Sequence, residues 1–317
     1  MKIVKYIVTG IICLIIVLLI LFIIDYLRIN IRYALDKKDF KKSIPISGNK
    51  DGYIPQGLAY SDKYKVVLQT SYNSKGKPSK LYVMDFDKKK VIKELELRDS
   101  KNKENKTHVG GIATEGDTVW ITSDYQVSEY DLQEIINTDN NYIKSYFEKE
   151  LSIRGDFATI GDNQLFIGDF YLKPFYDVPG NTPLMYCYDL SETINFDEPK
   201  YIAALPKMVQ GLTITPDHKY IFTRSFTYLI NSDLVIYDNP TDFESEFYEL
   251  NNKLIPFFRF NENNLINNKK LPPMAEGLFY KDKKLYILFE SSSDTYALAF
   301  PKIKNILELD INKIDRK

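Results

Sequence analysis

Acidic and other polar side chains occupy two fixed positions around a motif that recurs five times along the chain. The motif begins at Gly57, Gly111, Asp156, Gly211 and Gly277. Directly before these residues stand Gln56, Gly110, Gly155, Gln210 and Glu276, and thirteen residues after them stand Thr70, Asp124, Asp169, Arg224 and Glu290. Carboxyl, amide and guanidinium groups at recurring positions have the chemistry to bind a polar ligand or a cation and to transfer protons.

These residue types are consistent with three kinds of site. The candidates for a ligand-binding site are Gln56, His108, Asp124, Asp169, Gln210, Arg224, Glu276 and Glu290. A calcium site would use the carboxylates of Asp156, Asp169 and Glu276, because Ca²⁺ accepts several oxygen ligands in flexible geometry. An acid–base pair would combine His108 with Asp124 or Glu276. His108 and Glu276 are therefore the candidate catalytic residues.

A purely structural role for the same residues is the alternative. Carboxylates at strand ends often accept hydrogen bonds from neighbouring backbone, and Arg224 is able to hold two repeats in register by pairing with Asp169 or Glu290. The functional interpretation rests on the charge: Asp156 stands where the other four copies have glycine, and Glu276 where two copies have glutamine. Two repeats would thus bring extra negative charge to one place.

Each repeat has the pattern of two short β-strands joined by a polar turn. An apolar residue follows the first position, a turn such as Asp62-Lys63 comes next, and an apolar stretch follows, such as Val66–Leu68. A third strand follows each pair, for example at Leu81–Phe86. In an antiparallel pair the first strand begins beside the end of the second. The two polar positions should therefore meet at one end of the sheet.

The copies begin 54, 45, 55 and 66 residues apart, which is the period of a propeller blade of about four strands. Blades stacked radially bury faces that a single small sheet leaves exposed. We therefore predict an all-β, five-bladed β-propeller over residues 42–317, with six blades less favoured. The segment Lys42–Ser47 should close the ring by pairing with Ile306–Ile311. Long loops are predicted at Tyr171–Pro183, Thr241–Glu249, Asn261–Lys270 and Ser291–Lys304.

The N-terminal part of the chain is predicted to be a membrane anchor, residues 1–27, and a charged linker, residues 28–41, too polar to pack. The apolar run Tyr6–Ile24 is long enough to span a bilayer as one helix. A cleaved signal peptide is the alternative, but Phe22–Leu27 lacks the small residues of a cleavage site. We predict a single-pass membrane protein with an extracytoplasmic propeller, because long domains translocate largely regardless of flanking charge.

Composition and missing motifs exclude several functions. The formal net charge of −1 gives no reason to expect nucleic-acid binding. Cys13 lies in the apolar run and Cys187 in a third strand, so we expect no disulfide between them. The sequence has no Gly-x-Ser-x-Gly, phosphate-loop or His-Glu-x-x-His motif. Two histidines are too few for the usual zinc sites.

Three blocks, Ile54–Tyr60, Val209–Thr213 and Ala275–Phe279, resemble the inner strands of a broad propeller group. This group includes the gluconolactonase-like, TolB-like and plant-type glutaminyl cyclase families. The cyclase resemblance implies five blades, but that family has a glutamate where this chain has Gly110, so its catalytic residue is not carried over. Arg154–Ile160 resembles one blade of the calcium-activated nucleotidases, which implies that an acidic residue at the place of Asp156 helps to bind a central calcium.

Two functions from different classes are predicted. The first is a membrane-anchored binding module whose channel mouth engages a small polar ligand, a glycan or a protein. The alternative is an enzyme: a calcium-dependent hydrolase of the lactonase, esterase or nucleotidase type, or a glutaminyl cyclotransferase. The lactonase resemblance implies calcium ligands that include asparagine, and the polar positions of the five repeats contain none. This difference favours the binding module.

Overall fold

The computed structural model describes residues 2–191 and 193–314. Its first elements are the helix α1 (Lys2–Asp36) and the strand β1 (Phe40–Pro45). The next four strands are β2 (Tyr53–Ser61), β3 (Val66–Asn73), β4 (Lys80–Asp85) and β5 (Lys90–Arg98). They are followed by β6 (Gly111–Glu115), β7 (Thr118–Ser123), β8 (Gln126–Asp131), α2 (Leu132–Asn137), β9 (Tyr142–Lys144) and β10 (Phe147–Glu150).

The second half of the chain continues with β11 (Phe157–Gly161), β12 (Gln164–Gly168), β13 (Leu184–Asp189) and β14 (Tyr201–Ala204). Then come β15 (Val209–Ile214), β16 (Tyr220–Arg224), β17 (Ser232–Tyr237), β18 (Glu246–Leu250), β19 (Lys253–Arg259) and β20 (Leu265–Leu271). The last strands are β21 (Ala275–Lys281), β22 (Lys284–Phe289) and β23 (Asn305–Asp310).

Hydrogen bonding joins these strands into five sheets, which we number as blades 1 to 5 from their inner strands β2, β6, β11, β15 and β21. Their orders are β2-β3-β4-β5, β6-β7-β8-β10, β11-β12-β13-β14, β15-β16-β17-β20 and β21-β22-β23-β1. The strand β9 extends blade 1, and the hairpin β18–β19 extends blade 3. Each inner strand contacts the next, and β21 contacts β2. The five-bladed β-propeller is therefore confirmed.

Apolar side chains that alternate along the strands form the core between adjacent blades. Leu68 and Val83 of blade 1 pack with Ile121 of blade 2 in one buried cluster. Between blades 3 and 4, the rings of Phe166 and Tyr220 meet edge to face at 5.8 Å. Burying each such side chain stabilises the fold by about 1.5–3 kcal/mol. Stacking blade on blade is thus what makes these small sheets stable.

The N-terminal strand closes the ring, as predicted. Strand β1 pairs antiparallel with β23, from Phe40 opposite Leu309 to Pro45 opposite Asn305. It begins two residues before the predicted Lys42, because Phe40 is buried and belongs to the blade. Blade 5, assembled from both ends of the chain, therefore closes the ring of blades.

Glycine at the repeated first position is required by the close approach of neighbouring inner strands. A Cβ atom on Gly277 would lie 2.6 Å from the backbone nitrogen of Leu58 in the next blade. A Cβ atom on Gly111 would lie 2.5 Å from the backbone nitrogen of Ala158 in the next blade. Both distances are shorter than van der Waals contact, so a larger residue would force the blades apart. The repeat is therefore recognisable in sequence because four of its five copies keep glycine at this position.

Helix α1 is longer than the predicted anchor. Its apolar side chains from Val4 to Ile24 are exposed, and it is the one helix in the described ranges long and apolar enough to cross a membrane. Beyond Ile24 it continues to Asp36, through most of the predicted linker. Ile29 is buried there, and Tyr33, one helical turn later, packs against the apolar core of blade 5. This part of the predicted linker packs because two apolar side chains four residues apart share one helix face.

Two predicted loops contain strands instead. The segment Asn261–Lys270 holds most of β20, and Thr241–Glu249 holds the start of β18. Both strands lie at outer edges of the propeller, and most of their side chains are exposed on both faces. Such strands lack the apolar alternation on which the prediction relied.

Candidate functional site

Four buried carboxyl groups lie at the end of the central channel where the inner strands begin. They belong to Asp156, Asp169, Glu276 and Glu290, whose exposed fractions are 5%, 3%, 2% and 9%. Strand pairing places them there: Phe157 pairs with Gly168, and Ala275 pairs with Phe289. We call this end of the channel the acidic mouth. The prediction that the two polar positions of each repeat converge at one end holds for blades 3 and 5.

In blade 5, the carboxyl groups of Glu276 and Glu290 form a hydrogen-bonded pair. Burial raises the pKa of Glu290 to about 7, and burial together with the Glu290 charge raises the pKa of Glu276 well above its usual value. Tyr296 donates its hydroxyl proton to Oε2 of Glu290 at 2.9 Å, and Nε2 of Gln56 donates to the same oxygen at 3.3 Å. Among the described residues, none donates a hydrogen bond to Oε1 of Glu276. Glu290 is thus held in place, whereas Glu276 retains a free acceptor.

In blade 3, Asp156 and Asp169 form a second pair. Arg154 contacts Oδ1 of Asp156 at 3.0 Å, and the backbone N–H of Phe170 donates to its Oδ2 at 2.8 Å. Burial still raises the pKa of Asp156 to about 6. Burial and the Asp156 charge raise the pKa of Asp169 to about 8, and Oδ1 of Asp169 has no partner among the described residues. Asp169 is therefore a protonated acid at neutral pH.

The two pairs act on each other across the channel. The charge of Asp156 contributes to the raised pKa of Glu276, so the two pairs lie close enough to interact electrostatically. Arg154 is the positive side chain in direct contact with these carboxyls among the residues that the structure describes. The positive charge of this one guanidinium offsets the negative charge of one of the four carboxyl groups. The remaining charge must be removed by protons or by a bound cation.

His108 stands beside the acidic mouth but is a poor base. Its ring lies 4.5 Å from the ring of Tyr72, centroid to centroid. Burial, with the nearby Arg154 charge, lowers the pKa of His108 to about 4. Its Nδ1 atom is buried, with no hydrogen-bond partner in the described part of the chain. His108 is consequently neutral at pH 7 and offers one ring nitrogen to a ligand.

The other sequence-predicted residues lie at the edge of this site. Arg224 donates its Nε–H to the carbonyl oxygen of Lys207 at 2.8 Å, and within the described ranges it forms no ion pair with Asp169 or Glu290. Asp124 is exposed and in the left-handed backbone region, with φ at 49°. Gln210 is half-buried. The proposed pairing of Arg224 with an acid is thus wrong, because the counter-charge comes from another residue.

Sequence reasoning missed two residues of the site, Arg154 and Tyr296. Arg154 comes two positions before Asp156, a spacing that places alternate side chains of an extended chain on one side. It was therefore recoverable from the sequence. Tyr296 lies in the irregular segment between β22 and β23 and reaches Glu290 by the path of that loop, which no periodic pattern predicts.

The calcium hypothesis gains no support from the arrangement of side chains. Across residues 2–191 and 193–314, no group of three or more His, Cys, Asp or Glu side chains is placed to hold a metal ion. The carboxyls of Asp156, Asp169 and Glu276 instead fall into two separate pairs. Calcium binding by these three residues stays a prediction.

The opposite end of the channel has different chemistry. A cavity of about 180 Å³ lies there, lined by residues such as Leu58, Ile112, Ile214 and Leu278 together with Glu115. It contains none of the sequence-predicted site residues. A smaller cavity of about 40 Å³ adjoins the acidic mouth and is lined by Arg154, Asp169 and Tyr186 among others. That volume is enough for about one ordered water.

Comparison with known proteins finds similar folds but no family. No family model and no curated protein sequence matches the chain. Among solved structures, it is similar to the glutaminyl cyclase of Myxococcus xanthus, at 7% identity, with 86% of this chain and 94% of that chain covered and a TM-score of 0.48.

Two further solved structures are similar over most of their length. The PQQ-bound aldose sugar dehydrogenase of Streptomyces coelicolor is 12% identical, with 85% of this chain and 96% of that chain covered and a TM-score of 0.46. BamB of Moraxella catarrhalis is 10% identical, with 85% and 97% covered and a TM-score of 0.34. Similarity at such low sequence identity concerns the fold alone.

Proposed function

We propose that this protein is a membrane-anchored binding module whose acidic mouth recognises a small polar ligand carrying a positively charged amine. The observation that carries the proposal is Glu276, which is 2% exposed, with its Oε1 free of hydrogen-bond donors from the described residues. A buried acceptor without a donor costs roughly 1–3 kcal/mol. An amine would supply both the missing donor and the missing positive charge.

The surrounding residues support this recognition. Tyr296 and Gln56 hold Glu290 in a fixed position beside Glu276. A bound cation would stabilise the ionised form of both acids, so binding would release the proton that they share. Neutral His108 and the ring of Tyr72 provide a polar atom and an aromatic face close by. An aromatic face attracts cations as well.

The test is a melting-temperature series on the full-length protein in detergent micelles. Ethanolamine is the probe, and ethylene glycol is its neutral counterpart of similar size. A ligand present at 100 times its Kd stabilises the folded state by about 2.7 kcal/mol. We expect ethanolamine, but not ethylene glycol, to raise the melting temperature, and we expect the rise to grow from pH 6 to pH 8 as less of the pair is protonated.

Two variants test whether the response to ethanolamine arises at Glu276. E276Q should abolish the response to ethanolamine, because it removes the negative charge and leaves the shape. E115Q is the matched control, since Glu115 lies at the opposite end of the channel. An equal response in E276Q and the parent, or no response to the amine at any pH, would contradict the proposal.

A general acid–base enzyme is the second candidate, and it is favoured by the pKa of Glu290, raised to about 7. Carboxyl groups near neutrality are suited to give and accept protons during a reaction. This candidate covers the hydrolase and cyclotransferase hypotheses. Incubation with a lactone and with an N-terminal glutaminyl peptide, followed by mass spectrometry, tests it. Product formation by the parent and by E115Q, but not by E290Q, would establish an enzyme.

We also propose that α1 anchors the protein in a membrane with the propeller outside the cytoplasm. The proposal is supported by the uncharged apolar run of the helix, Tyr6–Ile24, and by the tolerance of long domains for translocation. The full-length protein should remain in the membrane fraction after carbonate washing at its unprocessed mass. Protease added to intact cells should degrade the propeller, and full protection would place it on the cytoplasmic side.

A further inference from the structure

Helix α1 runs beside blade 5 toward the acidic mouth when it is followed backwards from its C-terminal end. Strand β1 starts with Phe40 opposite Leu309, near the end of β23, and finishes with Pro45 opposite Asn305, where β23 begins. The beginning of β23 adjoins the long loop from β22, which starts at Glu290 in the acidic mouth. The C-terminal end of α1 precedes β1 by a single short turn. It therefore lies at the blade end far from the mouth.

Ten residues earlier, α1 has reached the level of the mouth. The ring of Tyr26 lies 5.3 Å from the ring of Phe300, centroid to centroid, and Phe300 belongs to the loop between β22 and β23. Ten helical residues advance about 15 Å, which approaches the length of a six-residue strand. The helix thus follows the side of the blade from the far end to the mouth end. Its remaining N-terminal residues project beyond the mouth.

The loops at the same end of the propeller expose large apolar side chains. Phe175 is 68% exposed in the loop between β12 and β13, Ile230 is 60% exposed between β16 and β17, and Leu298 is 65% exposed between β22 and β23. Phe175 also stacks on Phe226 of the neighbouring loop at 5.6 Å. All three loops connect a second strand to a third, so they leave their blades on the side of the acidic mouth. Apolar residues exposed together at one face indicate an interaction surface.

We propose that this face docks on the lipid bilayer that α1 enters, with the three loop tips inserted in the interfacial layer and the acidic mouth open toward the lipid headgroups. The inference rests on the proposed membrane anchoring. A bilayer is favoured as the partner because the surface is continuous with the apolar helix. Tyr26 follows Ile24, the last residue of the apolar run, by only two positions, or about 3 Å along the axis. The loop that holds Phe300 therefore lies at the depth where aromatic side chains are enriched in membrane proteins.

Fluorescence quenching in a bilayer tests the depth of the loops. The full-length protein is reconstituted in vesicles of phosphatidylcholine brominated on its acyl chains, which quench tryptophan on contact. The chain has one tryptophan, Trp120, which is buried in blade 2 and gives a constant background. F175W and L298W report on two loops. F247W is the matched control: Phe247 is also 68% exposed, and it pairs with Pro256 near the far end of blade 3.

The variant I15W reports on helix α1 itself and distinguishes the proposed docking of the loops from the proposed membrane anchoring. We expect roughly twofold or greater quenching of the added fluorescence in F175W, L298W and I15W, because interfacial aromatics sit at the acyl boundary, and none in F247W. Quenching of I15W without quenching of F175W and L298W would overturn the docking of this face while leaving the anchor intact. Absence of quenching in I15W would reject the anchor, and the docking with it. Equal quenching of F247W and F175W would also reject a defined docking face.

Discussion

The carboxyl groups of Glu276 and Glu290 lie within hydrogen-bonding reach of each other at the mouth of the channel, where both are buried. Glu276 belongs to β21, and Glu290 follows β22, so two adjacent strands of one blade deliver two acids to one place. Like charges this close do not both ionise without a compensating cation. The pair therefore behaves as one unit that holds a proton at neutral pH.

A pH dependence of stability follows from the raised pKa values. Asp156, Asp169 and Glu290 have folded-state pKa values of about 6, 8 and 7, whereas carboxyls of the unfolded chain titrate near 4. The stability that these groups contribute is fully present below about pH 4 and is lost as the pH rises through the folded values. We expect the melting temperature of the full-length protein to fall between pH 5 and pH 8.

Single variants test whether this loss of stability with rising pH arises at the acidic mouth. Each pKa unit corresponds to about 1.4 kcal/mol, and about 1 kcal/mol moves the melting temperature of a domain of this size by roughly 2–4 °C. D169N and E276Q should each reduce the fall between pH 5 and pH 8 by several degrees. D139N, a change at an exposed aspartate, should leave the fall unchanged. A melting temperature that rises from pH 5 to pH 8 would contradict the assignment.

The sequence predicted the blades well because their inner strands obey strict local rules. Neighbouring backbones approach closely at Gly277 and Gly111, so glycine recurs at this position with a readable period. The outer strand β20 was predicted as a loop, because its side chains are mostly exposed and its sequence therefore lacks a pattern of alternating apolar residues. The same difference explains the corrected linker, where Ile29 is buried and Tyr33 packs against the core of blade 5, which lies far away in the sequence.

The candidate site was predicted in part. Glu276, Glu290, Asp156 and Asp169 converge as expected, since strand pairing alone brings them to one end. Which acid receives the positive counter-charge depends instead on the direction that each arginine side chain takes at a strand end. Arg154 reaches Asp156, whereas Arg224 turns to a backbone carbonyl. The repeat pattern does not encode side-chain direction at the ends of the strands, where Arg224 and the segment before β11 lie.

The two histidines of the chain should titrate far apart. Burial and Arg154 lower the pKa of His108 to about 4, whereas the hydrogen bond that its ring donates to Asp162 raises the pKa of the exposed His218. In an NMR titration of protein labelled at histidine, His218 should gain its proton first as the pH falls. The variant R154M should then move the pKa of His108 upward and leave that of His218 unchanged, which makes His218 the internal control. Equal pKa values for the two rings in the parent protein would disprove the described burial of His108.

Because β1 closes the ring, we predict that a substitution in β1, outside the acidic mouth, lowers the stability of the fold strongly. Ile44 is fully buried in β1 within the core of blade 5. I44A should lower the free energy of unfolding by about 2–5 kcal/mol, the cost of a buried cavity of this size. K41A changes an exposed side chain of the same strand and should cost less than about 0.5 kcal/mol. Urea denaturation of both variants measures the difference, and comparable losses would argue against closure by this strand.

Calcium binding at the acidic mouth is settled by a cation titration. If Ca²⁺ offsets the carboxyls of Asp156, Asp169 and Glu276, millimolar Ca²⁺ should raise the melting temperature at pH 8 by mass action. Mg²⁺ is the matched control, because it demands near-octahedral geometry and retains its water. The double variant with D156N and E276Q should lose the calcium response. E276Q alone should be more stable than the parent in the absence of calcium, since it removes the repulsion from Glu290. A parent protein that is indifferent to both ions but responds to ethanolamine would assign the mouth to an organic cation.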